Sequence, residues 1–268
     1  MQTMEPGWAA PPGVQAAFTL RVGGASVGPH SSLNVGAHVG DSAAAVRDNR
    51  ALVREGLLLP SEPVWLEQVH GVEVADLDVL APPEAASGRA GAGLGTGGEP
   101  ASVSGPLRAD AAVTRMPGRV CVIQVADCMP VLFAARDGSA VGAAHAGWRG
   151  LVGGVLEATV RQLGVAPGEL LAWLGPAISQ KAFEVGDDVR TAFVSQDPGA
   201  AAAFEVNARG RWQCDLYALA RRRLAALGVR EVSGGGWCTF TDPDRFFSYR
   251  RDGQCGRMAA LIWMTPRA

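Results

Sequence analysis

The chain has a single lysine, Lys181, two tyrosines and four histidines among 268 residues. Each scarcity excludes chemistry. Schiff-base catalysis and a P-loop would both depend on Lys181, which lies in Ser179-Gln-Lys-Ala-Phe without phosphate-loop glycines. Histidines at 30, 38, 70 and 145, with no His-x-His pair, are too few to build a clustered multicopper centre. The five cysteines (121, 128, 214, 238 and 255) are odd in number and lack CxxC spacing, which points away from a disulfide framework and toward a reduced, cytoplasmic setting. No apolar run approaches the about 18–20 residues that span a bilayer, so no membrane partner is expected. The segment Met1-Gln-Thr-Met-Glu-Pro-Gly-Trp has neither the basic nor the apolar region of a secretory signal. A formal net charge of −2 speaks against nucleic acid as a partner.

What is present suits a large core: 48% of the residues are apolar. Short β-leaning runs separated by Gly and Pro outnumber helical stretches, and the expectation is a single α+β domain over 1–268, with mixed β-sheets flanked by helices. Residues 81–107 are rich in Gly, Ala, Pro and Ser with few apolar anchors. They read as a mobile surface loop inserted in that domain. One helix is expected from Ser42 to about Leu57, with Asp41 or Ser42 as N-cap. Its Val46, Arg50, Val53 and Leu57 share one face at 4-3-4 spacing. An arginine on such a face either pairs with a buried carboxylate or backbone carbonyls, or reaches into a site to hold an anion. A second helix is expected to follow His145-Ala-Gly-Trp-Arg-Gly150 and continue to about Leu163, and a third to span Asp215 to Leu227 with Gly228 after it.

The most informative stretch runs from Val120 to His145. Two apolar runs flank Asp137-Gly138, the dipeptide that most strongly signals a two-residue hairpin turn. If Arg136 faces Ser139, cross-strand partner numbers sum to 275. His145 then opposes Pro130, Cys128 opposes position 147, and Cys128 and His145 become diagonal neighbours about 7–8 Å apart on one sheet face. A thiol and an imidazole so placed make either a metal site or a nucleophile–base pair. Zinc takes thiolate and imidazole donors and leaves one position open in catalytic sites. Such a site needs a third ligand from elsewhere, for which His70, His30 and His38 compete. An ordinary free cysteine is a small buried hydrophobe. Asp127 before Cys128 and Pro130 after it, both poor ladder residues, instead suggest a functional corner.

A set of motifs runs through the chain in order: Ser32-Leu-Asn-Val-Gly36 with His38-Val-Gly-Asp41, Asn49-Arg50, Gln68-Val-His70-Gly71, Ala109-Asp110-Ala, Ala126-Asp-Cys128-Met-Pro-Val and His145-Ala-Gly-Trp-Arg-Gly150. Gly175-Pro-Ala-Ile, Phe246-Phe-Ser-Tyr-Arg-Arg-Asp-Gly and Gly256-Arg-Met-Ala-Ala complete it. Together, over about residues 17–265 apart from the 81–107 loop, they resemble the laccase-domain family, also called multicopper polyphenol oxidase-like or peptidoglycan-editing-factor proteins. That resemblance implies a single-domain α+β fold and a zinc bound by His70, Cys128 and His145. It also implies zinc-dependent phosphorolysis, in which adenosine, inosine and methylthioadenosine react with inorganic phosphate to give the free base and a ribose 1-phosphate. Adenosine deamination is implied as a second activity. Two positions depart from the family pattern: His30 replaces a frequent aromatic ahead of Ser-Leu-Asn, and Cys255 replaces a common Thr before Gly-Arg. Each adds a soft donor, so copper stands as an alternative metal.

For phosphate, Arg50 and Arg149 are the candidates because guanidinium forks match phosphate oxygens. Asp110 is a further phosphate- or substrate-side candidate, and Asp110 and Asp127 are carboxylates that can orient metal ligands. Three rivals stand beside the phosphorylase. One is a metal-free hydrolase with Cys128 as nucleophile and His145 as base, acting in peptidoglycan-precursor editing. Another is a copper-dependent polyphenol oxidase with Met129 as axial ligand, which is disfavoured because adjacent strand residues point to opposite faces. The third is a binding module closed by structural zinc, which would need a fourth protein donor.

Overall fold

The computed structural model describes residues 1–80 and 106–265. Two β-sheets stack face to face between helices. The larger sheet has six strands in the order Glu231–Gly234, Leu170–Leu174, Met129–Ala135, Val141–Ala146, Ala111–Thr114 and Val74–Asp76. Its two outer pairs are parallel and its inner pairs antiparallel. The smaller sheet is antiparallel, ordered Thr3–Met4, Val14–Thr19, Met258–Met264 and Val120–Val125. A separate three-stranded ribbon is made of Phe204–Val206, Trp212–Cys214 and Glu184–Val185.

Packing explains why the strands read as unbroken apolar runs. Along Met129–Ala135 the side chains alternate between two cores. Val131 and Phe133 face the helices, while Leu132 and Ala134 face the smaller sheet and meet Phe18, Ile123 and Ile262. The helices Trp148–Gly153, Val155–Leu163 and Leu216–Leu227 cover the first of these faces. The outer face of the smaller sheet is covered by the helix Ala43–Gly56, where Val53 packs with Val122, Leu261 and Trp263. The result is the α+β architecture with mixed sheets flanked by helices that the sequence led us to expect.

Boundaries follow local chemistry. The Ser42 side chain caps the first helix by accepting from the Ala45 N–H, and the Asp215 carboxylate caps Leu216–Leu227 by accepting from the Ala218 N–H. The expected continuous helix after His145 is instead two helices. Gly154, at φ 101°, adopts the left-handed conformation between them and turns the chain. The Gly153-Gly154 doublet was the available signal. The hairpin has partner numbers summing to 275 throughout, including Pro130 opposite His145. Its turn differs from the two-residue form. The last ladder bond joins the Ala135 N–H to the Ala140 carbonyl, and the Gly138 N–H closes a turn onto Ala135. Only Gly138 in this connection has positive φ, whereas the expected turn needs it at both central residues. Of the 81–107 segment, residues 81–105 lie outside the described residues, and the Leu107 carbonyl accepts from the Glu67 N–H at 2.8 Å.

Candidate active site

The register brings the site together at one end of the larger sheet. His145 lies on Val141–Ala146 between two neighbouring strands, with Pro130 opposite on one side. On the other side its N–H donates to the Asp110 carbonyl at 2.7 Å. Cys128 lies just ahead of the strand Met129–Ala135, after Asp127, whose φ of 87° breaks the strand before the thiol. His70 comes from a loop and is itself left-handed, at φ 62°. Left-handed backbone is costly for a residue with a Cβ unless its surroundings hold it.

Asp110 supplies that hold. This fully buried carboxylate accepts backbone N–H bonds from Val69 (3.1 Å), His70 (2.9 Å) and Gly71 (2.6 Å), and lies 2.8 Å from Nδ1 of His145. Burial, the largest influence, opposes its ionisation, but the bonds from His145 and Gly71 outweigh burial and hold Asp110 below the usual carboxylate range. With Nδ1–H of His145 directed at Asp110, Nε2 is the nitrogen that faces the thiol and that would offer its lone pair to a metal once its proton is displaced. One buried anion therefore fixes both the loop carrying His70 and the tautomer of His145.

The donor atoms of His70, Cys128 and His145 all lie within 4.8 Å of one another. Sγ of Cys128 is 3.8 Å from Nε2 of His70, and the two imidazole centroids are 4.8 Å apart. Burial resists ionisation of Cys128, yet the charge and hydrogen bonding of His145, then His70, overcome it and bring the thiol down to about 6. Burial likewise works against the His145 imidazolium, but the Cys128 thiolate and Asp110 raise it to about 9. A thiolate and two imidazoles in this arrangement can hold a metal ion.

The cluster opens into a cavity of about 480 Å³, within the about 300–1,000 Å³ typical of small-molecule sites. Trp148, Phe183 and Tyr249 give it aromatic walls. Of the sequence candidates, Arg149 lines this cavity, its guanidinium 4.4 Å from the Trp148 ring centroid. Asp110 does not line it and sits behind the ligands. Arg50 is directed elsewhere: Nε donates to the Val35 carbonyl at 3.0 Å and the guanidinium lies 4.0 Å over the Trp65 ring, beside a separate pocket. Among the other histidines, His38 lines the cavity outside the three-donor cluster. His30 is turned away, with Nε2 3.0 Å from the Val39 carbonyl. Cys255 is buried beside Arg257 and does not line the cavity.

Three residues were not singled out from the sequence. Arg250 and Arg257 line the cavity, and their only sequence signal was membership of the motifs near the C-terminus. Gly147 is the third, and its role is spatial: a Cβ there would lie 2.8 Å from Sγ of Cys128 and 3.2 Å from Cδ2 of His70. Asp127 orders the same wall from behind, accepting from Oγ1 of Thr239 at 2.6 Å and from the Arg250 N–H at 2.7 Å.

Fold and cluster together define a stacked-sheet protein with a His-Cys-His metal-competent centre in a ligand-sized cavity. The chain belongs to the multi-copper polyphenol oxidoreductase laccase family, whose profile matches residues 15–265. It is 50% identical to the purine nucleoside phosphorylase PA4543 of Pseudomonas aeruginosa over 262 residues, covering 97% of this chain and 98% of that protein. It is 48% identical to the purine nucleoside phosphorylase YfiH of Escherichia coli, covering 97% of each. Among solved structures, Neisseria meningitidis NMB0706 superimposes with a TM-score of 0.87 at 44% identity, covering 99% of this chain and 100% of that one. YlmD of Geobacillus stearothermophilus superimposes with a TM-score of 0.86 at 30% identity, covering 99% and 97%.

Proposed function

We propose that this protein is a zinc-dependent purine nucleoside phosphorylase. In this reading it cleaves adenosine, inosine and methylthioadenosine with inorganic phosphate, deaminates adenosine at the same centre, and works in the reducing cytoplasm. The observation that carries the reading is the His70–Cys128–His145 cluster facing a ligand-sized cavity with aromatic walls. The names of the relatives supply the reaction class.

The donor set fits zinc. Tetrahedral zinc, with Zn–S of about 2.3 Å and Zn–N of about 2.0–2.1 Å, has donor–donor edges of about 3.3–3.6 Å, close to the 3.8 Å between Cys128 and His70. Copper with an axial methionine fits less well, because Met129 is fully buried in the core against the helices and does not line the cavity. When bound, zinc supplies Lewis acidity and one open position at which an oxygen nucleophile is polarised.

Phosphorolysis breaks the bond between the ribose anomeric carbon and the purine nitrogen. The base leaves with the electron pair and takes a proton, and a phosphate oxygen bonds to the anomeric carbon. Trp148, Phe183 and Tyr249 offer apolar faces for base and ribose. Asp110 keeps His145 in the tautomer that presents Nε2 to the cavity.

The deciding experiment measures phosphate-dependent adenine release from adenosine by chromatography. Wild type and Cys128→Ala are compared, each with metal content quantified and again after chelation and zinc return. Ribose 1-phosphate formed only with zinc and intact Cys128 supports the reading. A second reading draws on the lowered Cys128 thiol: a metal-free Cys–His hydrolase acting on peptidoglycan precursors. Full activity after chelation would favour that reading and end the zinc mechanism.

A further inference from the structure

We infer that Arg250 and Arg257, together with Arg149, form the oxyanion subsite of this cavity and seat the attacking phosphate. The inference deepens the phosphorylase reading and rests on it for the identity of the anion as inorganic phosphate.

All three guanidinium side chains line the cavity that holds the His-Cys-His cluster. Each is held in place by contacts that leave its charge uncancelled. Arg250 donates from Nη1 to the Glu184 carbonyl at 2.8 Å and lies 5.2 Å from the Phe183 ring centroid. Its backbone N–H is tied to Asp127. Arg257 donates from Nη1 to the carbonyls of Cys255 (3.0 Å) and Gly256 (3.1 Å). Its aliphatic stem fits against Gly36, where a Cβ would come within 2.7 Å of Cγ. Among the described residues, Nε and Nη2 of both side chains have no hydrogen-bond partner, and none of the three arginines forms a salt bridge.

Among the described residues, Asp127 is the only carboxylate lining the cavity, and its two oxygens are engaged by Thr239 and the Arg250 backbone. The positive field is felt by His38 on the same wall: burial first, and the Arg257 charge next, hold that imidazole below its usual value. The three guanidinium charges outnumber the anionic groups lining the cavity, Asp127 and Cys128, and a tetrahedral dianion offsets the excess while its oxygens match the guanidinium forks. The phosphate contact expected of Arg50 therefore passes to the two C-terminal arginines.

The test uses the zinc-loaded full-length protein with Arg250→Gln, Arg257→Gln and Arg257→Lys. Arg222→Gln, at an exposed arginine outside the cavity, serves as control. Removing one charged donor is expected to raise the KM for phosphate about 10- to 100-fold, with the nucleoside KM changed less than about twofold. Arg257→Lys should recover part of the loss, because it restores charge without the fork. An unchanged phosphate KM in both glutamine variants overturns the inference, as does an equal rise for both substrates. Direct binding of inorganic phosphate by calorimetry separates this outcome from failure of the phosphorylase reading. Saturable binding by wild type, weakened in Arg250→Gln and Arg257→Gln, supports the subsite even if no base is released. Absence of phosphate binding by wild type overturns it.

Discussion

Gly147 lies directly against the sulfur of Cys128, so closely that any Cβ at position 147 would come 2.8 Å from Sγ. The backbone there is ordinary, at φ −65°, so the glycine is required by space and not by conformation. Gly147→Ala is expected to displace the thiol or the His70 ring. An overlap of this kind costs about 1–3 kcal/mol, equivalent to a roughly 5- to 150-fold loss of metal affinity. Competition with a chromophoric chelator measures it. Gly168→Ala, with nothing within 4 Å of the added carbon, should behave as wild type.

Asp110→Asn should lower metal affinity by about 10- to 100-fold. The carboxylate serves three backbone N–H groups and His145. An amide has one acceptor oxygen and turns an NH₂ group toward the remaining donors. The melting temperature of the metal-free protein should fall as well, because those buried donors lose partners. Wild-type affinity and melting temperature in this variant would show that the buried carboxylate does not organise the centre.

In chelator-treated protein, Cys128 should be the cysteine alkylated fastest among the active-site and buried thiols near neutral pH. The imidazoles of His145 and His70 draw its thiol down to about 6, whereas burial raises Cys121 and Cys214 above the ordinary thiol range. The thiolate is the reactive form, so the alkylation rate should be nearly flat above about pH 7 and fall as the pH drops through about 6. Site-resolved mass spectrometry over pH 5–9 gives the profile. A midpoint near the unperturbed value of about 8.5 would refute the thiolate assignment.

Asp127 combines a left-handed backbone, φ 87°, with two side-chain bonds that tie Thr239 and Arg250 to the cysteine corner. Asp127→Ala should destabilise the fold by about 1–3 kcal/mol, since buried donors lose their acceptor. Asp127→Asn should lie between alanine and wild type, because asparagine tolerates the left-handed region and keeps one acceptor. Urea unfolding midpoints order the three. Equal stability of all three proteins would mean that the bonds contribute nothing to holding the corner.

Local rules reached surprisingly far into the site in one respect only, the register of the hairpin. Apolar runs flanking Asp137-Gly138 specified partner sums of 275, which placed His145 opposite Pro130 and near Cys128. The turn itself is longer than the two-residue form, yet both forms centre on the same midpoint and therefore preserve the register. Helix ends at Ser42 and Gly228 were equally legible, because capping is local chemistry.

Side chains with long reach were less legible. Arg50 shares a helix face with Val46 and Val53, as its spacing indicated, but the Trp65 ring and the Val35 carbonyl draw its guanidinium away from the cavity. The direction of a flexible arm depends on what folds over it, and sequence spacing carries no record of that. The same holds for Arg250 and Arg257, which reach the cavity only because the C-terminal return packs beside Asp127 and Gly36.

The sequence by itself determined the donor types, the strand pairing that brings His145 near Cys128, and the family motifs. Periodicity and turn chemistry act over a few residues and are written directly in the chain. Residue spacing left His30 and His38 in competition and the family motifs implied His70; tertiary structure decided it in space, bringing His70 together with Cys128 and His145 in the three-donor cluster. It also decided which arginines share its cavity. The physical reason is Asp110, a buried charge that must be satisfied: it gathers the N–H groups of the distant 69–71 loop and thereby carries His70 to the thiol.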